Sequence, residues 1–142
     1  MLEVIFWALV GVFGLIMGEF FIPVVKELFR GELFLLPLIV FSLLGGTLIA
    51  LTLKEKIKGK LRKFFLLTGG SALGFFIGVF LHNLFYSLGV LVGEVLVLRW
   101  LMEVLHVGFF LVAIFVCPLG FIIGVVGSVV WLIKKKRGKQ RG

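Results

Sequence analysis

The chain has 142 residues, 61% of them hydrophobic, and a formal net charge of +8. Soluble domains are roughly half apolar, so a mean hydropathy of +1.25 excludes an ordinary water-soluble core. A single cysteine, Cys117, excludes an intrachain disulfide, a CxxC redox pair and a cysteine-rich metal site.

Taken in chain order, the first apolar stretch covers residues 4–25. Glu3 precedes it in place of a basic leader region and no A-x-A-like cleavage site follows, so it is expected to stay in the mature protein. A mixed-charge turn follows, Lys26, Glu27, Arg30 and Glu32, whose charges cancel. The second stretch covers 33–53 and ends at a basic loop, 54–63 (KEKIKGKLRK). The third covers 64–88. The segment 93–106 then brings Glu94, Arg99, Glu103 and His106 before a fourth stretch, 107–133, and a basic tail, 134–142. Each stretch is close to or above the ~20 residues that a ~30 Å hydrocarbon core requires, which predicts one transmembrane domain with four helices.

Apart from Lys26, Arg30 and Arg99, every Lys and Arg lies in the basic loop or the tail. That confinement is the positive-inside pattern, and it makes the anionic inner leaflet the expected partner, not nucleic acid. Two basic segments on one side need an even number of crossings between them. A multi-pass cell-membrane protein with both termini cytoplasmic is the expectation, and Trp7 and Trp131 then fall near the inner boundary, where aromatic belts form.

The two halves read as a parallel internal repeat of hairpins. Pro37-Leu38, Gly46-Thr47, Leu51 and Lys54 match Pro118-Leu119, Gly127-Ser128, Leu132 and Lys134, and Gly14 and Gly18 match Gly74 and Gly78. The two prolines predict a shared bend. The second half carries about twenty extra residues, in which Arg99, Glu103 and His106 share one helical face; a short extracellular amphipathic or re-entrant helix is expected there.

Glycine supplies the packing signal. Gly70, Gly74 and Gly78 form a ridge that continues to His82 and Tyr86, while Gly11, Gly14 and Gly18 on the first helix and Gly120, Gly124 and Gly127 on the fourth offer matching small faces. Small residues at such spacing let helix backbones approach where lipid removes the hydrophobic driving force. The same faces also suit a homo-oligomer interface.

Polar residues within the spans carry the functional signal. Glu19 lies about six residues, roughly 9 Å, from the outer end of the first helix, and His82, Asn83 and Tyr86 lie at a similar depth on the third. A carboxylate there is costly unless it meets protein, water or a cation, so Glu19 and His82 are the expected proton- or cation-sensitive pair, with Asn83 or a backbone carbonyl as the structural alternative. Zinc is not expected from so few ligands; haem held by His82 and His106 is the weaker redox alternative. No nucleophile with an orienting base and no phosphate loop appears, and Asp is absent throughout, so neither an enzyme activity nor a cofactor is expected. The preferred expectation is a small transporter or channel subunit acting as an oligomer; the alternative is a non-catalytic subunit or scaffold of a larger membrane complex.

Overall fold

The computed structural model describes residues 1–28, 33, 35–55, 57–92 and 95–140, the side chains of 26 and 138–140 excepted. Arg30, Glu32 and Glu94 lie outside the described residues. Among those described the chain is helical, with no strand: α1 (Leu2–Phe21), α2 (Pro23–Leu28), α3 (Leu35–Lys54), α4 (Lys60–Leu91), α5 (Leu96–Leu111), a π-helical turn (Val112–Val116) and α6 (Cys117–Gln140). Four helical segments are long and apolar enough to cross a membrane: α1, α3, α4 and the continuous run Leu96–Arg137.

Local chemistry sets the boundaries. Proline offers no N–H and pushes its predecessor to extended backbone, so α1 stops before Pro23, with Ile22 at φ −112°, ψ 112° and its N–H bonded to the Gly18 carbonyl. The first span is thereby shorter than 4–25. Pro37 sits in the first turn of α3, where an N–H has no helical acceptor, and causes no interior break. Pro118 lies inside a continuous helix; its ring crowds the carbonyl one turn earlier, and the helix widens into the π turn that ends at Val116. Of the two prolines expected to share a bend, only the second therefore perturbs the helical hydrogen-bond pattern. Between α3 and α4 the chain reverses at Gly59, whose φ of +77° is a conformation that side chains disfavour.

The fourth helix differs most from expectation. It begins at Leu96 instead of 107, and the segment expected as a separate element runs unbroken through the π turn into α6. Nothing between Leu96 and Pro118 removes a helical donor, so propagation continues. At 1.5 Å per residue, α1 and α3, each of 20 residues, are about 30 Å long, matching a bilayer core. The 32-residue α4 is about 48 Å long and the 42-residue run Leu96–Arg137 about 63 Å. Upright, these two helices project well beyond the hydrocarbon.

Helix α4 is the hub, packed by α3, α5 and α6, while α1 packs on α3. Leu2, Phe6, Leu9 and Ile16 recur at three- and four-residue spacing and form the buried stripe of α1. Phe13, Phe41 and Phe121, from α1, α3 and α6, close a triangle with ring centroids 4.5 to 6.0 Å apart. At one end of the bundle Glu3 lies 3.9 Å from Lys136, and Lys60 and Lys134 stand 6.0 and 5.9 Å from the Trp131 ring. The N-terminus, the basic loop and the tail thus gather at the same end. The Glu3–Lys136 pair is exposed and contributes little to stability.

Close backbone approach is concentrated on α4. A Cβ built on Gly45 would stand 2.8 Å from the Ala72 Cβ and 2.9 Å from the Gly69 carbonyl oxygen; one on Gly69 would stand 2.7 Å from the Gly45 carbonyl oxygen. On the other flank a Cβ on Gly78 would stand 3.0 Å from the Ala113 Cβ, one on Gly120 2.6 Å from the Ser71 hydroxyl and one on Gly74 3.3 Å from the Cys117 sulfur, while one on Gly124 or Gly127 would run into Thr68 or Phe64. Gly18 makes only ordinary contact with Val25. A Cβ built on Gly11, Gly14 or Gly70, expected among the packing faces, would meet no neighbouring element within 4 Å among the described residues; they lie off the faces that the apolar stripes turn inward.

Candidate functional site

Glu19 follows Ile16 by three residues and so continues the inward stripe of α1. It is 3% exposed, and neither carboxyl oxygen has a hydrogen-bond partner among the described residues. Other buried polar groups are served locally: the Thr52 hydroxyl donates to the Leu48 carbonyl at 2.6 Å and the Thr68 hydroxyl to the Phe64 carbonyl at 2.9 Å. A short hydroxyl reaches back along its own helix, whereas a glutamate carboxyl cannot donate to that acceptor when ionised. The Ser128 hydroxyl is the other buried side-chain group without a partner among the described residues.

One turn below Glu19, Ile16 and Met17 border a small cavity of about 20 Å³, completed by Phe75, Cys117 and the aromatic triangle. That volume holds about one water, but the walls are almost wholly apolar, and such a cavity stays dry.

His82 belongs to a different neighbourhood. Its Nδ1 donates to the backbone carbonyl of His106 at 2.9 Å, so that nitrogen carries a proton. The His82 ring lies 5.1 Å from the His106 ring and 5.2 Å from Phe110, and the Tyr86 ring meets His106 edge-on at 5.7 Å. Stacked Phe85 and Phe109 extend this aromatic seam between α4 and α5. Beside it the two helices splay into an open cleft of about 550 Å³, lined among others by Tyr86, Arg99, Met102, Glu103 and His106.

The sequence-derived residues therefore divide. His82 and Tyr86 come together and gain His106, and the face of Arg99 and Glu103 joins them. Asn83 is exposed and donates to the Val79 carbonyl of its own helix at 2.8 Å, so it does not serve Glu19. Among the described residues no hydrogen bond or ion pair joins Glu19 to His82: α1 packs on α3, and the C-terminal part of α4 is covered by α5. The two histidine rings touch each other, which leaves no gap for a porphyrin between them.

Known protein families, characterised proteins and solved structures offer no match to this chain. No group of three or more His, Cys, Asp or Glu is placed to hold a metal among the described residues. The cleft presents the guanidinium of Arg99, the carboxyl of Glu103, the phenol of Tyr86 and the imidazole of His106, a set suited to passing protons or holding a small ion. Glu19 is an isolated carboxyl deeper in the bundle, suited to taking up one proton or one cation. Sequence reading missed Phe85, Met102 and Phe110 as cleft or ring partners, since an aromatic or thioether in an apolar helix carries no positional signal. It also missed Gly45 and Gly69, although a GG pair in each of two neighbouring helices was visible.

Proposed function

We propose that this protein is a small membrane transporter or channel subunit, proton- or cation-coupled and acting as an oligomer, with Glu19 as its ion-responsive group. The observation that carries the reading is a carboxyl 3% exposed, without a hydrogen-bond partner among the described residues, inside a helix long enough to cross the bilayer. A buried acid that nothing satisfies costs stability on the order of 1–3 kcal/mol, so its retention calls for a use, and ion uptake is the use that intramembrane carboxyls most often have. The aromatic triangle and the dry cavity below Glu19 supply an apolar closure that opening must relieve.

On this reading both termini and the basic end face the cytoplasm, next to the anionic leaflet. The cleft of Tyr86 and His106, with His82 beside it, faces outward, as the extracellular extension of the third and fourth spans. The two hairpins form a parallel repeat whose copies have diverged: Gly127 packs on Phe64 and Ser128 is buried, whereas a Cβ on Gly46 would meet no neighbour within 4 Å among the described residues and Thr47 is exposed. Gly11, Gly14 and Gly70 are then the small faces open to a second copy.

Those open glycines equally favour a second reading, a non-catalytic subunit or scaffold that docks a larger membrane complex. Purified protein reconstituted into liposomes with an imposed pH gradient separates the two. Dissipation of the gradient that depends on external cation or pH supports transport. Silent liposomes, together with stable co-purification of other chains, support the scaffold.

A further inference from the structure

We propose that the basic end of the bundle is a binding site for the phosphate of an anionic phospholipid. The loop before α4 and the part of α6 around Trp131 and Lys135 border an open cleft of about 690 Å³ lined by Lys58, Lys60, Lys134 and Lys135, with Glu55 the one carboxylate lining it among the described residues. Charges of one sign held together repel unless an anion joins them, and four ammonium groups around one concavity match a phosphate.

Two further features mark the cleft as built. Lys60 and Lys134, from opposite walls, both approach the ring of half-buried Trp131, which ties the walls together through one aromatic floor. At the rim Gly59, at φ +77°, turns the chain so that α4 begins with no side-chain cap, and its first N–H groups add partial positive charge beside the lysines.

The apolar side of the cleft selects a lipid over a soluble anion. Trp131, Ile57 and Leu61 form its wall next to the α4 and α6 spans. A headgroup phosphate at the lysines then leaves its acyl chains along the outside of those helices, with Trp131 at the polar–apolar boundary that indoles prefer. This site goes beyond the transport reading and stands or falls independently of Glu19.

The test uses the full chain in neutral detergent, with binding of dioleoyl phosphatidic acid, dioleoyl phosphatidylcholine and inorganic phosphate followed by native mass spectrometry. Phosphatidic acid should bind, with phosphatidylcholine and inorganic phosphate failing to compete at equal concentration. Lys60→Gln with Lys134→Gln should weaken binding roughly 30-fold, and Lys58→Gln with Lys135→Gln comparably. Arg62→Gln with Lys63→Gln removes the same charge from the same basic loop but lies off the cleft, and should weaken it less than about threefold. Equal losses from all three pairs would reduce the effect to diffuse surface charge and overturn the proposal. Competition by inorganic phosphate would make it a soluble-anion site and overturn the lipid assignment, and equal binding of phosphatidylcholine would overturn both.

Discussion

The contact between α3 and α4 makes two adjacent glycines behave oppositely. At Gly45 a new methyl would stand 2.8 Å from the Ala72 Cβ and 2.9 Å from the Gly69 carbonyl oxygen, against the ~3.5 Å that carbon atoms need at minimum contact. Neither neighbour is a flexible side-chain tip, so the helices must part by about 0.7 Å along the seam. Overpacking of this kind costs about 1–3 kcal/mol, and replacing a helical glycine by alanine returns about 0.5–1 kcal/mol. Gly45→Ala should therefore destabilise the protein by up to about 2 kcal/mol. A methyl on Gly46 meets nothing within 4 Å, and Gly46→Ala should stabilise by about 0.5–1 kcal/mol. Unfolding by dodecyl sulfate titration in mixed micelles, followed by circular dichroism, measures both variants against the parent. Shifts of the same sign and size at both positions would refute the close α3–α4 approach.

Three further predictions concern topology, the histidine seam and the α4–α6 seam. After Cys117→Ala, Lys58→Cys should be shielded from impermeant thiol reagents in intact cells and Arg99→Cys should label; the reverse pattern would invert the proposed orientation. His82→Ala should lose about 0.5–1.5 kcal/mol of stability with its bond to the His106 carbonyl, and should alter the pH dependence of any flux; an unchanged melting temperature would show that the bond is not made. Gly74→Leu must displace the buried Cys117 sulfur, 3.3 Å from the first added carbon, and should cost on the order of a few kcal/mol; an unchanged melting temperature would mean that the α4–α6 seam is looser than described.

The helical class and the four spans were legible because each depends on an uninterrupted apolar length, which composition alone records. The gathering of both basic segments at one end was legible because an even number of crossings requires it. His82 and His106 were each visible near the junction of the third and fourth spans, and a short connection between antiparallel helices brings such residues together. Helix ends were less readable. Arg99 and Glu103 looked like part of an interruption, yet both lie within the helix that begins at Leu96: a charged residue keeps its backbone N–H and does not break a helix as Pro23 does. The glycines were the least readable part. Gly70 and Gly74 share a ridge in sequence, but which side meets a neighbour depends on the rotation of α4 between α3 and α6, and Gly69, not Gly70, points at α3. Glu19 and His82 matched in depth without matching in side, because depth follows residue number and side follows packing order.

The central claim is that Glu19 is kept for ion uptake at a cost in stability, and paired measurement of flux and melting temperature on Glu19→Gln and Glu19→Leu tests it most directly. Because neither carboxyl oxygen has a partner among the described residues, leucine removes an unsatisfied group and should raise stability by about 1–3 kcal/mol. Glutamine keeps the shape without the charge and should leave folding nearly unchanged. Both variants should abolish coupled flux in liposomes where the parent is active. A Glu19→Gln protein that transports like the parent, or a Glu19→Leu protein that is clearly less stable, would contradict the account by making Glu19 a structural carboxyl.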